Sequence, residues 1–342
     1  MTLNESLGKI EKENRLSRRD FLRYVAGAAG TGVALSLIPQ DLQALAEPHS
    51  LTPVLESMDI EGTQTRSASL ETVLSSHIEG LKKKKVLNEN DSISITVYDI
   101  DHNIKFASIN EDVTRMAAST IKDYVMLAIF TQIQAGKLKY TKEIKKLLAA
   151  SIQHSDNPST NKLIAILGGH SKADKIIATN YPYFRNTRIL EIIPDDGRTY
   201  KNTTSTHDLS IFYNQMWQGR LPYSAEMKHY LSLPQLIGHD RIYDGTCIPK
   251  GTRLYDKTGT VYGSVADSGI LEMKDGKSTK PYVINVIIED KTRPNAKASR
   301  SSRQSWMHQR ANVIRSVSEI VYNHLFNFHT GINSACGNQE HS

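Results

Sequence analysis

Ser119 and Lys122, in the stretch ASTIKD, stand three residues apart. On a helix that spacing puts them on one face, where the side chains can meet. An alkyl hydroxyl is a poor nucleophile near neutral pH. A lysine can take its proton only if burial or nearby positive charge lowers the amine's pKa. Ser-x-x-Lys alone carries no weight, because Ser6 and Lys9 repeat it in a segment of quite different character. Two further short patterns lie downstream. Ser155-Asp156-Asn157 directly precedes Pro158, and Lys257-Thr258-Gly259 sits within RLYDKTGTVYG. Each has a plain structural reading, the first as a helix start and the second as a hairpin turn. Gly259 would also let a substrate lie close against a strand.

The elements that must position these residues follow from hydrophobic periodicity. A helix is predicted from about Leu70 to Lys85, with Val73, Leu74, His77, Ile78 and Leu81 at helical spacing. Ile93, Ile95 and Val97 alternate with polar residues as a strand, and Asp101-His102-Asn103 turns into a second strand through Ile104 and Phe106. Helical patterns then cover 116–135, 144–153 and 158–167, ending at Gly168-Gly169. Residues 180–204 read as loop, 206–218 as helix, and 252–256, 266–273 and 282–289 as strands, with turns around Gly259 and Asp275-Gly276. A last helix over 303–326 buries Trp306, Ile314, Val317 and Val321. This order gives an α/β (α+β) chain: one five-stranded antiparallel sheet flanked by terminal helices, with an all-helical lobe inserted. The domain spans 69–330, its sheet lobe being 69–110 and 245–330 and its helical lobe 111–244. A polar tail over 331–342 follows.

Residues 1–46 read as an export leader. Ser17-Arg18-Arg19-Asp20-Phe21-Leu22-Arg23 is a twin-arginine sequence, an uncharged run follows from Tyr24 to Gln40, and Ala44-Leu45-Ala46 is a small-x-small cleavage pattern. The run is short and rich in glycine for a membrane span, which needs about 20 apolar residues. The expectation is a chain handed to the twin-arginine translocase and released outside the cytoplasmic membrane, periplasmic or extracellular, without a stable membrane span in the mature form. Polar residues 47–68 read as a linker. The 42 Lys and Arg against 36 Asp and Glu leave a mild positive excess. Basic residues interleaved with aromatics are missing, which excludes a nucleic-acid partner. The two cysteines, Cys247 and Cys336, have no metal-site spacing and leave their pairing open. HExxH, GxSxG and a phosphate-binding glycine loop do not occur. His324 and His329 read as surface residues near the end of the last helix, so neither metal nor cofactor is expected.

Taken together and in this order, the three motifs resemble those of class A β-lactamases and penicillin-binding proteins. The resemblance covers roughly residues 70–330, including SDNPSTNKLIAILGG and GTRLYDKTGT. It implies Ser119 as the acylated nucleophile, Lys122 as its base or relay partner, and Ser155 as the hydroxyl that passes a proton to the leaving nitrogen. It implies Asn157 as a holder of the substrate's amide side chain and Lys257 as a second cation. Thr258 and Thr260 would bind a substrate carboxylate, with Gly259 between them. The backbone N–H groups of Ser119 and Thr260 would form the oxyanion hole.

Deacylation divides the family's two activities. A class A β-lactamase uses a loop glutamate to activate water. Here that loop reads RNTRILEIIPDDGRTYKNTT, with Glu191 about where the glutamate would fall but without the usual Leu-Asn surroundings. The two serines are also closer than in typical class A enzymes (155 − 119 = 36 positions), which implies a cleft with one wall reduced. That resembles shorter penicillin-binding relatives lacking the hydrolytic glutamate. Three readings follow: a D-alanyl-D-alanine carboxypeptidase or transpeptidase on peptidoglycan stem peptides, a β-lactamase using Glu191 against β-lactams, and a penicillin- or peptide-binding protein without turnover.

Overall fold

The computed structural model describes residues 61–234, 240–276, 278–293, 297–331 and 336. The twin-arginine leader and residues 47–60 lie outside the described residues. Helix α1 (Glu61–Lys83) leads into β1 (Ser92–Asp99) and β2 (Ile104–Ile109). Residues 61–68, expected as linker, are therefore the first turns of α1. After β2 come the two-residue strand β3 (Arg115–Met116), a 3-10 turn (Ala118–Thr120) and helices α2 (Ile121–Gln134), α3 (Lys142–Gln153), α4 (Asn157–Ile166) and α5 (His170–Asn180). Then follow β4 (Thr203–Thr204), α6 (Thr206–Trp217), α7 (Ser224–Leu231), the strands β5 (Arg253–Val261), β6 (Ser264–Asp275) and β7 (Ser278–Glu289), and α8 (Arg300–Thr330).

The sheet is five-stranded and antiparallel, in the order β2-β1-β7-β6-β5. On one face Leu70, Leu74 and Ile78 of α1 and Trp306, Ile314, Val317 and Val321 of α8 pack on Ile93, Ile95, Val97, Ile284, Val286 and Ile288. Val73, expected in that stripe, is 45% exposed. The alternation in β1 predicts one wet face, yet Ser94 and Thr96 are fully buried as well. The helical lobe covers that second face, and the Ser94 hydroxyl finds partners there: Ser94 Oγ donates to the Asn110 carbonyl at 2.8 Å and accepts from Arg115 Nε at 3.0 Å, whereas the buried Thr96 hydroxyl has none among the described residues. At the centre of the lobe α2 is buried on nearly every side, from Ile121 through Ile133, as a helix without a polar face must be.

Two expectations about turns and ends change. Gly259 pairs with Ala266 in mid-strand, and the hairpin turns instead at Tyr262-Gly263, where Gly263 has φ +110°. Cys336 forms a disulfide with Cys247, their Cα atoms 5.1 Å apart. Ile242 already packs in the sheet-side core, so that lobe begins slightly before 245. Among the described residues no helix is long and apolar enough to cross a membrane.

Candidate active site

Ser119 sits in the single 3-10 turn that joins β3 to α2. The approach to that turn is fixed from several sides. The Met116 N–H donates to Glu289 Oε1 at 2.8 Å, and the same carboxylate ion-pairs with Arg115 at 3.3 Å, both side chains nearly inaccessible to water. Ser264 Oγ donates to the Met116 carbonyl at 3.2 Å, and the Ala117 N–H donates to the Asn202 carbonyl at 2.8 Å. Ala118 then takes φ +46°, a left-handed conformation that costs an alanine about 1–2 kcal/mol. Ser155 does the same at φ +51°. Strain of this kind persists only where the surroundings over-determine it, and here it sets the two hydroxyls that face one amine.

That amine is Lys122 Nζ. It lies 3.0 Å from Ser119 Oγ, 3.0 Å from Ser155 Oγ, 2.6 Å from the Ser155 carbonyl and 2.8 Å from Asn157 Oδ1. The side chain is fully buried. Burial, and next the charge of Lys257, push its pKa down to about 6, against a smaller opposing pull from Asp156. A neutral amine has two hydrogens and one lone pair. The Ser155 carbonyl and Asn157 Oδ1 can only accept, so they take the two hydrogens and turn the lone pair toward the hydroxyls. In that state Lys122 can accept the Ser119 proton. Asn157 opens α4, and Asp156 caps that helix by accepting the Ser159 N–H at 2.7 Å.

The Lys-Thr-Gly segment reaches the same place from the sheet edge. A Cβ added at Gly259 would stand 3.1 Å from the Ala117 carbonyl oxygen, 3.2 Å from Thr120 Cγ2 and 3.4 Å from Ala118 Cβ. The glycine therefore lets β5 lie against the Ser119 turn itself. Lys257 is fully buried and donates to the Thr258 carbonyl at 3.1 Å. Burial lowers its pKa while Asp256, Asp123 and Asp267 act to raise it. Two residues that the motifs do not point to belong here. Asp123, next to Lys122 in sequence, accepts from the Tyr213 hydroxyl at 2.9 Å, and burial pushes its carboxyl up to about 7. Arg241 donates to Thr260 Oγ1 and, at 2.8 Å, to the Ala266 carbonyl, placing a buried guanidinium beside the exposed Thr260 of β5. Neither had a sequence signal: an aspartate in a helix and an arginine in a loop are both ordinary.

Glu191 does not join this cluster. Its Oε1 accepts from Thr199 Oγ1 at 2.9 Å, the Tyr200 N–H at 2.7 Å and the Lys201 N–H at 2.9 Å, so it closes a turn within its own loop. Asn202 Oδ1 holds the Leu190 and Glu191 N–H groups at 2.8 and 3.1 Å. Arg188 pairs with Asp174 at 2.8 Å. The loop borders the site at Gly197, where an added Cβ would be 3.6 Å from Asn157 Nδ2.

Residues 81–146 and 141–325 match the Beta-lactamase enzyme family. A mutant of PBP-A, solved as an acyl-enzyme complex with penicillin G, is 21% identical over 76% of this chain and 95% of that chain, with a TM-score of 0.57. The extended-spectrum β-lactamase TLA-1 is 15% identical over 76% and 99% of the two chains, with a TM-score of 0.60. A β-lactamase from Xanthomonas campestris pv. campestris is 15% identical over 72% and 98%, with a TM-score of 0.56. No curated protein matches. The chain belongs to the Beta-lactamase enzyme family, and its fold is that of the class A β-lactamases and PBP-A.

Proposed function

We propose that this member of the Beta-lactamase enzyme family is an exported serine hydrolase, acylated at Ser119, acting as a D-alanyl-D-alanine carboxypeptidase or transpeptidase on peptidoglycan stem peptides. The observation that carries the choice is the engagement of Glu191 Oε1 in three hydrogen bonds within its own loop. A carboxylate so committed is poorly suited to hold and deprotonate a hydrolytic water.

In this reading Ser119 Oγ attacks the carbonyl of the penultimate D-alanine as its proton passes to Lys122 Nζ. Ser155, 3.0 Å from the same nitrogen, relays a proton to the departing amine, the C–N bond breaks and an ester forms. Lys122, neutral again, takes the proton of the incoming water or acceptor amine, and Ser119 recovers its own through Ser155. The N–H groups of Ser119 and Thr260 stabilise the tetrahedral oxyanion, and Asn157 Nδ2 holds a backbone carbonyl of the peptide. The terminal carboxylate binds to Thr258 and Thr260, with Lys257 and Arg241 supplying positive potential. Residues 1–46 would direct the folded chain through the twin-arginine translocase.

The test is intact mass over time with a penicillin, together with D-alanine release from an acyl-D-Ala-D-Ala peptide. A persistent adduct on Ser119 with peptide turnover is expected. Rapid penicillin turnover that Glu191→Gln abolishes would reverse the assignment in favour of a β-lactamase. An adduct with no peptide turnover would leave a binding protein.

A further inference from the structure

At the opposite end of β1 from its entry, three side chains from distant parts of the sequence meet. Asp99 is the last residue of β1 and His102 lies in the turn to β2. His329 lies in the last turn of α8. His102 Nδ1 is 2.9 Å and His329 Nε2 is 3.1 Å from the same oxygen, Asp99 Oδ2. One ligand atom from each residue lies within 4.8 Å of the others. The Asp99 and His329 side chains are 1% and 4% exposed, while His102 is 45% exposed. His329 is thus not the surface residue the sequence suggests.

We propose that Asp99, His102 and His329 form a zinc site that clamps the end of α8 to the β1–β2 turn. Two imidazoles and one carboxylate are the ligand types that suit this ion, whereas magnesium and calcium want oxygen ligands throughout. Zinc bonds of about 2.0–2.1 Å put tetrahedral ligands roughly 3.3–3.4 Å apart. The two measured edges need to open by only a few tenths of an ångström to admit the ion. Asp99 Oδ1 accepts the His102 N–H at 3.2 Å, so the carboxylate is already oriented by an outer-shell bond of the kind that supports metal ligands. On the buried side, Phe328 sits edge-on to His102 at 5.9 Å and to His329 at 5.1 Å, and to Phe106 at 4.9 Å, bracing both imidazoles. Exposure of His102 leaves a path for the ion and for one water as fourth ligand. On binding, each coordinating nitrogen uses its lone pair, and any proton it carries moves to the other ring nitrogen or to solvent.

Cobalt(II) is the optical probe and zinc the thermal one, each titrated into the metal-free full chain. One equivalent of cobalt should develop the intense visible bands of tetrahedral coordination, and excess zinc should bleach them. The cobalt affinity should fall in His102→Ala and His329→Ala by at least the roughly 10–100-fold that loss of a mere outer-shell partner costs. It should be unchanged in His308→Ala, an exposed histidine on α8. Zinc should raise the melting temperature of the wild type and of His308→Ala, but not of the other two variants. Should His329→Ala fail to fold, His102→Ala, on an exposed turn, decides. No visible bands, or bands that persist in His102→Ala, would show the three residues to be a hydrogen-bonded cluster only and overturn the proposal.

Discussion

The protonation state of Lys122 makes a quantitative demand on acylation. With a pKa of about 6, the amine is neutral in about nine-tenths of molecules at pH 7 and about one-tenth at pH 5. In the proposed mechanism the neutral form is the base, so the second-order rate constant for acylation by a penicillin should rise about tenfold from pH 5 to 7 and then level off. A lysine at its ordinary value would instead leave the rate climbing about tenfold per unit through pH 9. The assay is quenched-flow acylation with a fluorescent penicillin, read as labelled protein across pH 5–9. The causes of the shift can be tested separately. Lys257→Gln removes a cation that disfavours protonated Lys122, so the midpoint should move upward. Asp156→Asn removes a carboxylate that favours it, so the midpoint should move downward. A rate still climbing steeply above pH 8, or two variants shifting in the same direction, would refute the reasoning.

Glu191→Ala should leave the lifetime of the penicillin adduct within about twofold. It should lower the melting temperature modestly, since the buried Thr199 hydroxyl loses its acceptor, a loss of about 1 kcal/mol, while the exposed Lys201 N–H turns to water; mass spectrometry and calorimetry read the two effects. Gly259→Val puts branched carbon where even a Cβ meets the Ala117 carbonyl at 3.1 Å, so acylation should fall at least tenfold while the far-ultraviolet dichroism stays native. Cys247→Ala opens a loop closed over 89 residues, worth about 4–5 kcal/mol on chain-entropy grounds. Urea denaturation should show that loss, and a reductant should reproduce it in the wild type.

The parts legible in the sequence were those whose local pattern agrees with their final environment. Thr141, Asp156, Ser205 and Ser299 each accept an N–H at the start of a helix, and all four helices are readable from these caps and from apolar spacing. Helices α5 and α7 escape that reading. The first follows Gly169 at φ +99° and the second follows Tyr223 at φ +55°, neither with a side-chain cap. Each is short, and without a cap or a long apolar stripe neither leaves a clear local signal. The site divides the same way. Ser119, Lys122, Ser155 and Asn157 are brought into direct contact, as their motifs imply. Asp123 and Arg241 act through three-dimensional neighbours alone. The glycine of the third motif signals a turn by composition, yet close packing between β5 and the Ser119 turn is what requires it.

The two lysines show why those unsignalled residues matter. Both are fully buried, and burial pulls each toward the neutral amine. Their surroundings separate them. Lys122 faces carbonyl and hydroxyl oxygens, and the one carboxylate acting on it, Asp156, is engaged in capping α4. Lys257 lies among Asp123, Asp256 and Asp267, whose charges oppose the loss of its proton. Burial still lowers the Lys257 pKa overall, but the three carboxyl groups limit that fall, and whatever positive charge Lys257 keeps in turn helps hold Lys122 neutral. Consecutive residues on a helix point roughly 100° apart, which lets α2 send Lys122 to the two hydroxyls and Asp123 toward Lys257 and Tyr213. One turn of one helix thus supplies both the proposed base and a carboxyl group beside the cation that tunes it. The coupling is reciprocal: weakening the carboxylates behind the sheet edge would weaken the positive charge on Lys257, and Lys122 would then hold its proton more tightly.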